Sequence, residues 1–278
     1  MSSTDQANSA ARQDWNGALG EIWARQQALF DRVLAPAGEA AIDRANIQSG
    51  DKVIDVGCGC GATTAAIAEL VGPTGEVFAV DISEPMLAEA KKRIGSDPRI
   101  SFAIADAAIH PFPVSYYDVL FSRFGVMFFD FPAVAFANMR RALKPGGRLS
   151  FACFREAAKN TYVMLPLAAA YKHVPPLPSP ALNAPGMFSF ADDNRVRGIL
   201  GAAGFNAIRL EQIDAKLDMA WALEWTPLSL LPWSWVRSAG PCRVRLPSNI
   251  PLYRSLSERR FQLTKRAIAC FSMRHGGW

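Results

Sequence analysis

Between residues 52 and 154, short apolar runs alternate with amphipathic stretches, and that alternation sets out the elements. Lys52-Val-Ile-Asp-Val56 predicts a buried strand ending at a glycine loop, followed by a helix through Ile67 and Leu70. Residues 76–80 predict a second strand, ending at Asp81. Ser83 can cap the next helix, with Pro85 in its first turn and Met86, Leu87, Ala90 and Ile94 facing inward. Strands three and four fall on 100–105 and 117–122. A helix over 134–143 closes at Lys144-Pro-Gly-Gly147, and 148–154 is strand five. Strands that alternate with helices pair in parallel through right-handed crossovers and bind ligands at their carboxyl ends. The expected fold is therefore a doubly wound, mostly parallel α/β sheet.

The flanks are less regular. Trp15, Leu19, Trp23, Phe30 and Val33 recur near helical period over 13–34, and a second helix is expected over 38–47, stopped by Ser49-Gly50. Residues 174–185 hold five prolines and exclude regular helix or central strand. Asp192 can cap a helix over 193–203 that ends at Gly204, and 205–213 suits a sixth strand. The implied organisation is an N-terminal helical cap (1–50), a ligand-binding core (51–156), a Pro-rich substrate lid (157–190), a last core helix and sixth strand (191–220), and an atypical tail (221–278).

A length of 278 residues suits one large domain, and half of them are apolar. No run of 18 apolar residues suggests a membrane span, and residues 1–12 lack the apolar segment of a signal peptide. Five cysteines, an odd number without paired spacing, point to the reducing cytoplasm. The net charge of +5 is misleading until it is located. Residues 236–278 carry nine Lys/Arg and one acid, so the remainder of the chain is −3. A mildly acidic body gives no reason to expect a nucleic-acid partner. Charge and length leave the oligomeric state open.

The chemistry-bearing signal is Asp55-Val-Gly57-Cys-Gly59-Cys-Gly61, at a strand end and a helix start. Glycines there let the backbone approach a ligand and supply amides at a helix N-terminus. Asp81 lies 20 residues after Gly61, at the end of the next strand, where it can accept from ribose hydroxyls. Gly57, Gly59 and Ala62 also satisfy a dinucleotide fingerprint, which keeps a nicotinamide-dependent oxidoreductase as an alternative. Three features favour S-adenosylmethionine instead. Asp55 precedes the first glycine by two residues and suits a ligand with an ammonium group and no pyrophosphate. Asp106 ends strand three, where it can accept from an adenine amino group. Leu143-Lys-Pro-Gly-Gly147 precedes strand five.

With those motifs (VIDVGCGCGATT, VFAVDISEPML, ADA, FSRFGVMFF and LKPGGRL), residues 51–154 resemble the Rossmann-like core of class I S-adenosylmethionine-dependent methyltransferases. The likeness is to the ubiquinone/menaquinone-biosynthesis type. It implies that Asp55 and Gly57 lie near the methionine end, with Thr64 contributing from the following helix and Ser122 nearby. It further implies that Asp81 binds ribose, that Ile82 flanks adenine, that Asp106 and Ala107 hold it, and that Cys58, Gly59, Gly61 and Met86 also belong to the donor site. The implied activity is methyl transfer to a small quinone- or phenol-like acceptor, at oxygen or carbon, with no metal. A protein that binds the donor but turns over poorly is a further alternative. No Asn/Asp-Pro-Pro-aromatic motif follows strand four, where Ser122-Arg-Phe-Gly125 stands, so amino-group methylation of adenine or glutamine is disfavoured.

Catalytic candidates are weak. Arg123 can bind an anionic or carbonyl substrate, or tether a loop. His110 can act as a general base, although a packing role suits it better. Trp15, Trp23, Arg123, Phe124 and Met127 are candidate pocket residues; for the two tryptophans, plain amphipathic packing explains the spacing equally well. Cys58 and Cys60 lack the second ligand pair that a zinc site needs.

The tail differs from the rest. Five of the seven tryptophans follow Ala220, with poor amphipathic periodicity and no good candidate for a seventh strand, since 268–273 is short and ends in Arg-His-Gly-Gly. A reading-frame shift near residue 220 accounts for this composition. Pro232-Trp-Ser-Trp-Val236, read from the third base of its proline codon, can encode three apolar residues and a glycine. The alternative is a genuine Trp- and Arg-rich appendage that binds a membrane, nucleic acid or partner. Sequencing the gene with its flanks decides: if neither flank continues an intact family-like frame, the frame-shift reading is lost. On that reading the sheet lacks its seventh strand.

Overall fold

The computed structural model describes residues 8–215, apart from 177, 179 and 182, together with the strand at 267–274. The Trp- and Arg-rich stretch that suggested a shifted frame falls mainly outside the described residues.

Seven strands form one sheet: β1 (Lys52–Val56), β2 (Glu76–Asp81), β3 (Ile100–Ile104), β4 (Tyr117–Arg123), β5 (Leu143–Phe154), β6 (Asn206–Asp214) and β7 (Ala267–Arg274). Their order is β3-β2-β1-β4-β5-β7-β6. The first five pair in parallel, and β7 runs antiparallel between β5 and β6. The chain steps from β1 to β2 on one side and returns to β4 on the other. The β1/β4 boundary is thus the switch point, where an α/β sheet opens a crevice at its carboxyl edge.

The helices are α1 (Ser9–Trp15), α2 (Ala18–Arg25), α3 (Gln27–Ala45), α4 (Ala62–Val71), α5 (Glu84–Ile94), α6 (Pro132–Ala142), α7 (Thr161–Ala170) and α8 (Asp193–Ala202). As the pattern predicts, Ser83 caps α5 by accepting from the Met86 amide, and Asp192 caps α8 by accepting from Asn194 and Arg195. The largest buried side chains cluster under β4, β5 and α6, where Phe136 packs with Phe151, Phe190 and Phe205.

The structure corrects two expectations. First, a seventh strand is present: Arg148 pairs with Arg274 through to Phe154 with Ile268. Residues 148–154 of β5 present an edge of backbone donors and acceptors, and an antiparallel partner satisfies it without needing strict side-chain alternation. Second, the N-terminal region forms three helices rather than two. Gly17 sits in extended backbone and breaks the first stretch, whereas α3 runs on through Pro36 and Gly38. Gly38 is not a helix start. A Cβ there would meet the Arg123 Cδ at 3.2 Å, so the glycine lets α3 lie against β4. The lid region also contains α7, which lies before the proline-rich stretch and has Pro166 inside it.

Candidate active site

Two loops meet at the switch point. After β1 the chain turns through Gly57, Gly59 and Gly61, and after β4 through Phe124 and Gly125. Gly57 has φ +67°, and an added Cβ would lie 2.7 Å from the Gly125 Cα. Both conformation and space therefore demand glycine. Ser122 holds the strands beneath, its hydroxyl donating to the Val56 carbonyl at 2.8 Å. The hydroxyl's only proton is used in this stitch, so Ser122 positions the loops.

Three acids end the first three strands. Asp55 is fully buried. Its Oδ2 accepts from the hydroxyls of Thr63 (2.9 Å) and Thr64 (2.7 Å), while its Oδ1 has no partner among the described residues. Burial pushes its carboxyl up to about 6, against the pull of the two hydroxyls and Arg123. Asp81 accepts from the Gly59 amide at 2.7 Å and the Ser83 amide at 2.8 Å, so the acid shapes the glycine turn as well as facing its mouth. Burial raises its carboxyl, and those amide bonds oppose the rise. Asp106 follows β3, is 5% exposed, and accepts from the Ala108 amide at 2.9 Å. Ala107 beside it is buried, with its carbonyl accepting from Asn138 at 3.2 Å. The Met86 side chain abuts the glycine turn, with its Cε 2.9 Å from where a Cβ on Gly59 would stand. The Ile82 carbonyl accepts from Asn16 at 2.8 Å.

The remaining candidates separate. Trp15 and Trp23 come together edge to face at 5.7 Å; Trp15 also meets Phe128 at 5.3 Å, and Trp23 stacks on Phe30 at 3.9 Å. This aromatic group joins the N-terminal helices to the β4 loop. Arg123 ends β4 beneath α3, with Asp31 3.9 Å away; Asp31 in turn pairs with Arg93 at 2.9 Å. Burial lowers the Arg123 guanidinium, and Asp31 and Asp55 hold it up.

Phe124 and Met127 are buried in the core. Phe124 stacks on Phe154 at 4.1 Å, and Met127 is 1% exposed, its carbonyl accepting from Gly186 and Ser189. The turn at Gly125 aims both inward. His110 packs between Phe78 (5.5 Å) and Phe112 (4.6 Å). Cys58 and Cys60 are buried thiols; burial pushes Cys60 up to about 12. Asn8 and Asp31 had no signal in the sequence, because nothing in their spacing marks them; Phe128 lies within the FSRFGVMFF motif but was not singled out. A groove of about 300 Å³ beside Arg93 and Asp97 lies between α4 and α5, apart from these strand tips.

The strand order, the glycine turn and the three acids define a class I methyltransferase fold. Residues 53–147 match the family described as a methyltransferase domain. The chain is 41% identical over 130 residues to the ubiquinone/menaquinone biosynthesis C-methyltransferase UbiE of Burkholderia multivorans, covering 44% of this chain and 51% of the relative. It spans about half the length of the curated relatives it matches. Among solved structures, phosphoethanolamine N-methyltransferase 2 of Haemonchus contortus, in complex with phosphomonomethylethanolamine and S-adenosylhomocysteine, superposes with a TM-score of 0.61 at 15% identity, over 95% of this chain and 59% of that one. A putative methyltransferase of Bacillus halodurans superposes with a TM-score of 0.55 at 15% identity, over 87% of this chain and all of that one. Both likenesses concern the fold. Among the described residues no helix is long and apolar enough to cross a membrane.

Proposed function

We propose that this chain transfers a methyl group from S-adenosylmethionine to a small quinone- or phenol-like acceptor, at carbon or oxygen, in the cytoplasm. The observation that carries the reading is the buried Asp55, whose Oδ1 lacks a partner among the described residues, beside a turn built for close approach. An unpaired buried acceptor costs about 1–3 kcal/mol, which a cationic donor group would relieve. The ammonium of the methionine end suits it. Asp81 has lone pairs left for ribose hydroxyls, and Asp106 suits the adenine amino group. The thiols of Cys58 and Cys60 are buried and unpaired by any disulfide among the described residues, as suits a reducing compartment.

When bound, the donor supplies a methyl group on a sulfonium, and alignment does most of the remaining work. Trp15, Trp23 and Phe128 would exclude water from the acceptor side. Arg123 would hold a phenolate or enolate oxygen, lowering the need for a dedicated base. UbiE relatives are C-methyltransferases by name, which favours carbon as the methylated atom.

Calorimetry with S-adenosylmethionine, combined with tritiated-methyl turnover on phenol and quinol acceptors, tests the reading. Binding with turnover is expected, and Asp81→Ala should abolish both. Binding without turnover defeats the transfer reading, and binding of NAD instead points to an oxidoreductase.

A further inference from the structure

The Asp106 carboxylate already has a partner from the chain itself. Asn8 is 3% exposed, and its Nδ2 donates to both Asp106 oxygens, at 3.0 and 2.8 Å. Its Oδ1 accepts from the Asp130 amide at 2.8 Å, and its own amide donates to the Asp130 carboxylate. A primary carboxamide presents an NH2 donor next to an acceptor. The edge of adenine presents the same pair, an amino group next to a ring nitrogen. We infer that Asn8 is an intramolecular competitor for the adenine seat, and that the N-terminal arm must release Asp106 before the donor can be held. The inference rests on the methyl-donor reading of Asp106.

The arm is built to let go. None of the seven residues of α1 is buried. Its attachments sit at its ends: Asn8 at one, and at the other the Trp15 carbonyl, which accepts from Ser83 at 2.6 Å, with Asn16 bonded to Ile82 and Glu84. These contacts lie on the loops after β2, β3 and β4, so the arm crosses the crevice. Asn8 has φ 58°. Left-handed backbone is tolerated by asparagine and is free for glycine. A closed arm lowers apparent affinity by the fraction of molecules in the open state, which screens out weak adenine ligands.

Asn8→Gly keeps the backbone conformation and removes the amide. Asn8→Asp places a carboxylate against Asp106 and Asp130 and should dislodge the arm by repulsion. Both variants should bind S-adenosylmethionine about tenfold more tightly by calorimetry, the factor set by about 1.4 kcal/mol of lost self-contact. Hydrogen exchange gives a second readout: the donor should speed exchange at residues 8–16 of the unsubstituted protein. Unchanged or weaker binding by both variants, or slower exchange on adding donor, overturns the inference while leaving the donor reading intact. If neither S-adenosylmethionine nor adenosine binds any of the three proteins, the donor reading falls and this inference with it.

Discussion

The two halves of the sheet end differently. On the β1–β2–β3 side the strand tips carry Asp55, Asp81 and Asp106, all buried, and the loop after β1 is a glycine turn. On the β5–β7–β6 side the described packing is aromatic: Phe151 lies against Phe136 and Phe190, and Phe154 against Phe124, Tyr162 and Phe188. Burying ionisable groups costs stability, whereas burying aromatic surface contributes it. One half therefore holds the chemistry, and the other offsets its cost.

Phe136→Ala should break the comparison most strongly. Removing a fully buried ring from the aromatic half should cost about 3–5 kcal/mol in urea unfolding. Donor affinity of the folded fraction should change little; a matching loss of affinity would show that the halves are not separate in function.

Asp55 sharpens the contrast through pH. Its folded carboxyl keeps its proton up to about pH 6, against its ordinary value of 3.8. The folded chain thus binds more protons than the unfolded chain in that window. This group's contribution is complete below pH 3.8 and is lost as pH rises through 6, by about 3 kcal/mol in all. Asp55→Asn should flatten that part of the Tm-versus-pH curve while weakening donor binding at pH 7. An unchanged slope would mean that Asp55 ionises freely in the folded protein.

Gly57→Ala should destabilise by about 1–3 kcal/mol through left-handed strain and the contact with Gly125, and should impair donor binding. The smallest effect is expected from Ser122→Ala, about 1 kcal/mol for one buried hydrogen bond. Thermal denaturation and calorimetry read both. A Ser122→Ala variant that loses binding outright would move that hydroxyl from the scaffold into the ligand site.

Much of the site was legible because it is local. A glycine turn between a strand and a helix, with acids at successive strand ends, is written within about fifty consecutive residues. The caps at Ser83 and Asp192 were legible for the same reason, since each bonds to amides two or three residues away. Other features depend on distant partners. Asn8 meets Asp106 across 98 positions, and Arg123 meets Asp31 only because α3 folds over β4. The burial of Phe124 and Met127 was not legible, because exposure after a strand end depends on what packs above it.

The sequence by itself determined the parallel order of elements, the glycine turn and the acids at its rim, because periodicity and φ preference act over a few residues. Tertiary structure alone decided that Asp55 keeps an unpaired oxygen, that Asn8 covers Asp106, and that β7 fills the gap between β5 and β6. Burial, hydrogen-bond competition and strand pairing are settled between segments far apart in the chain, where no local pattern records the outcome.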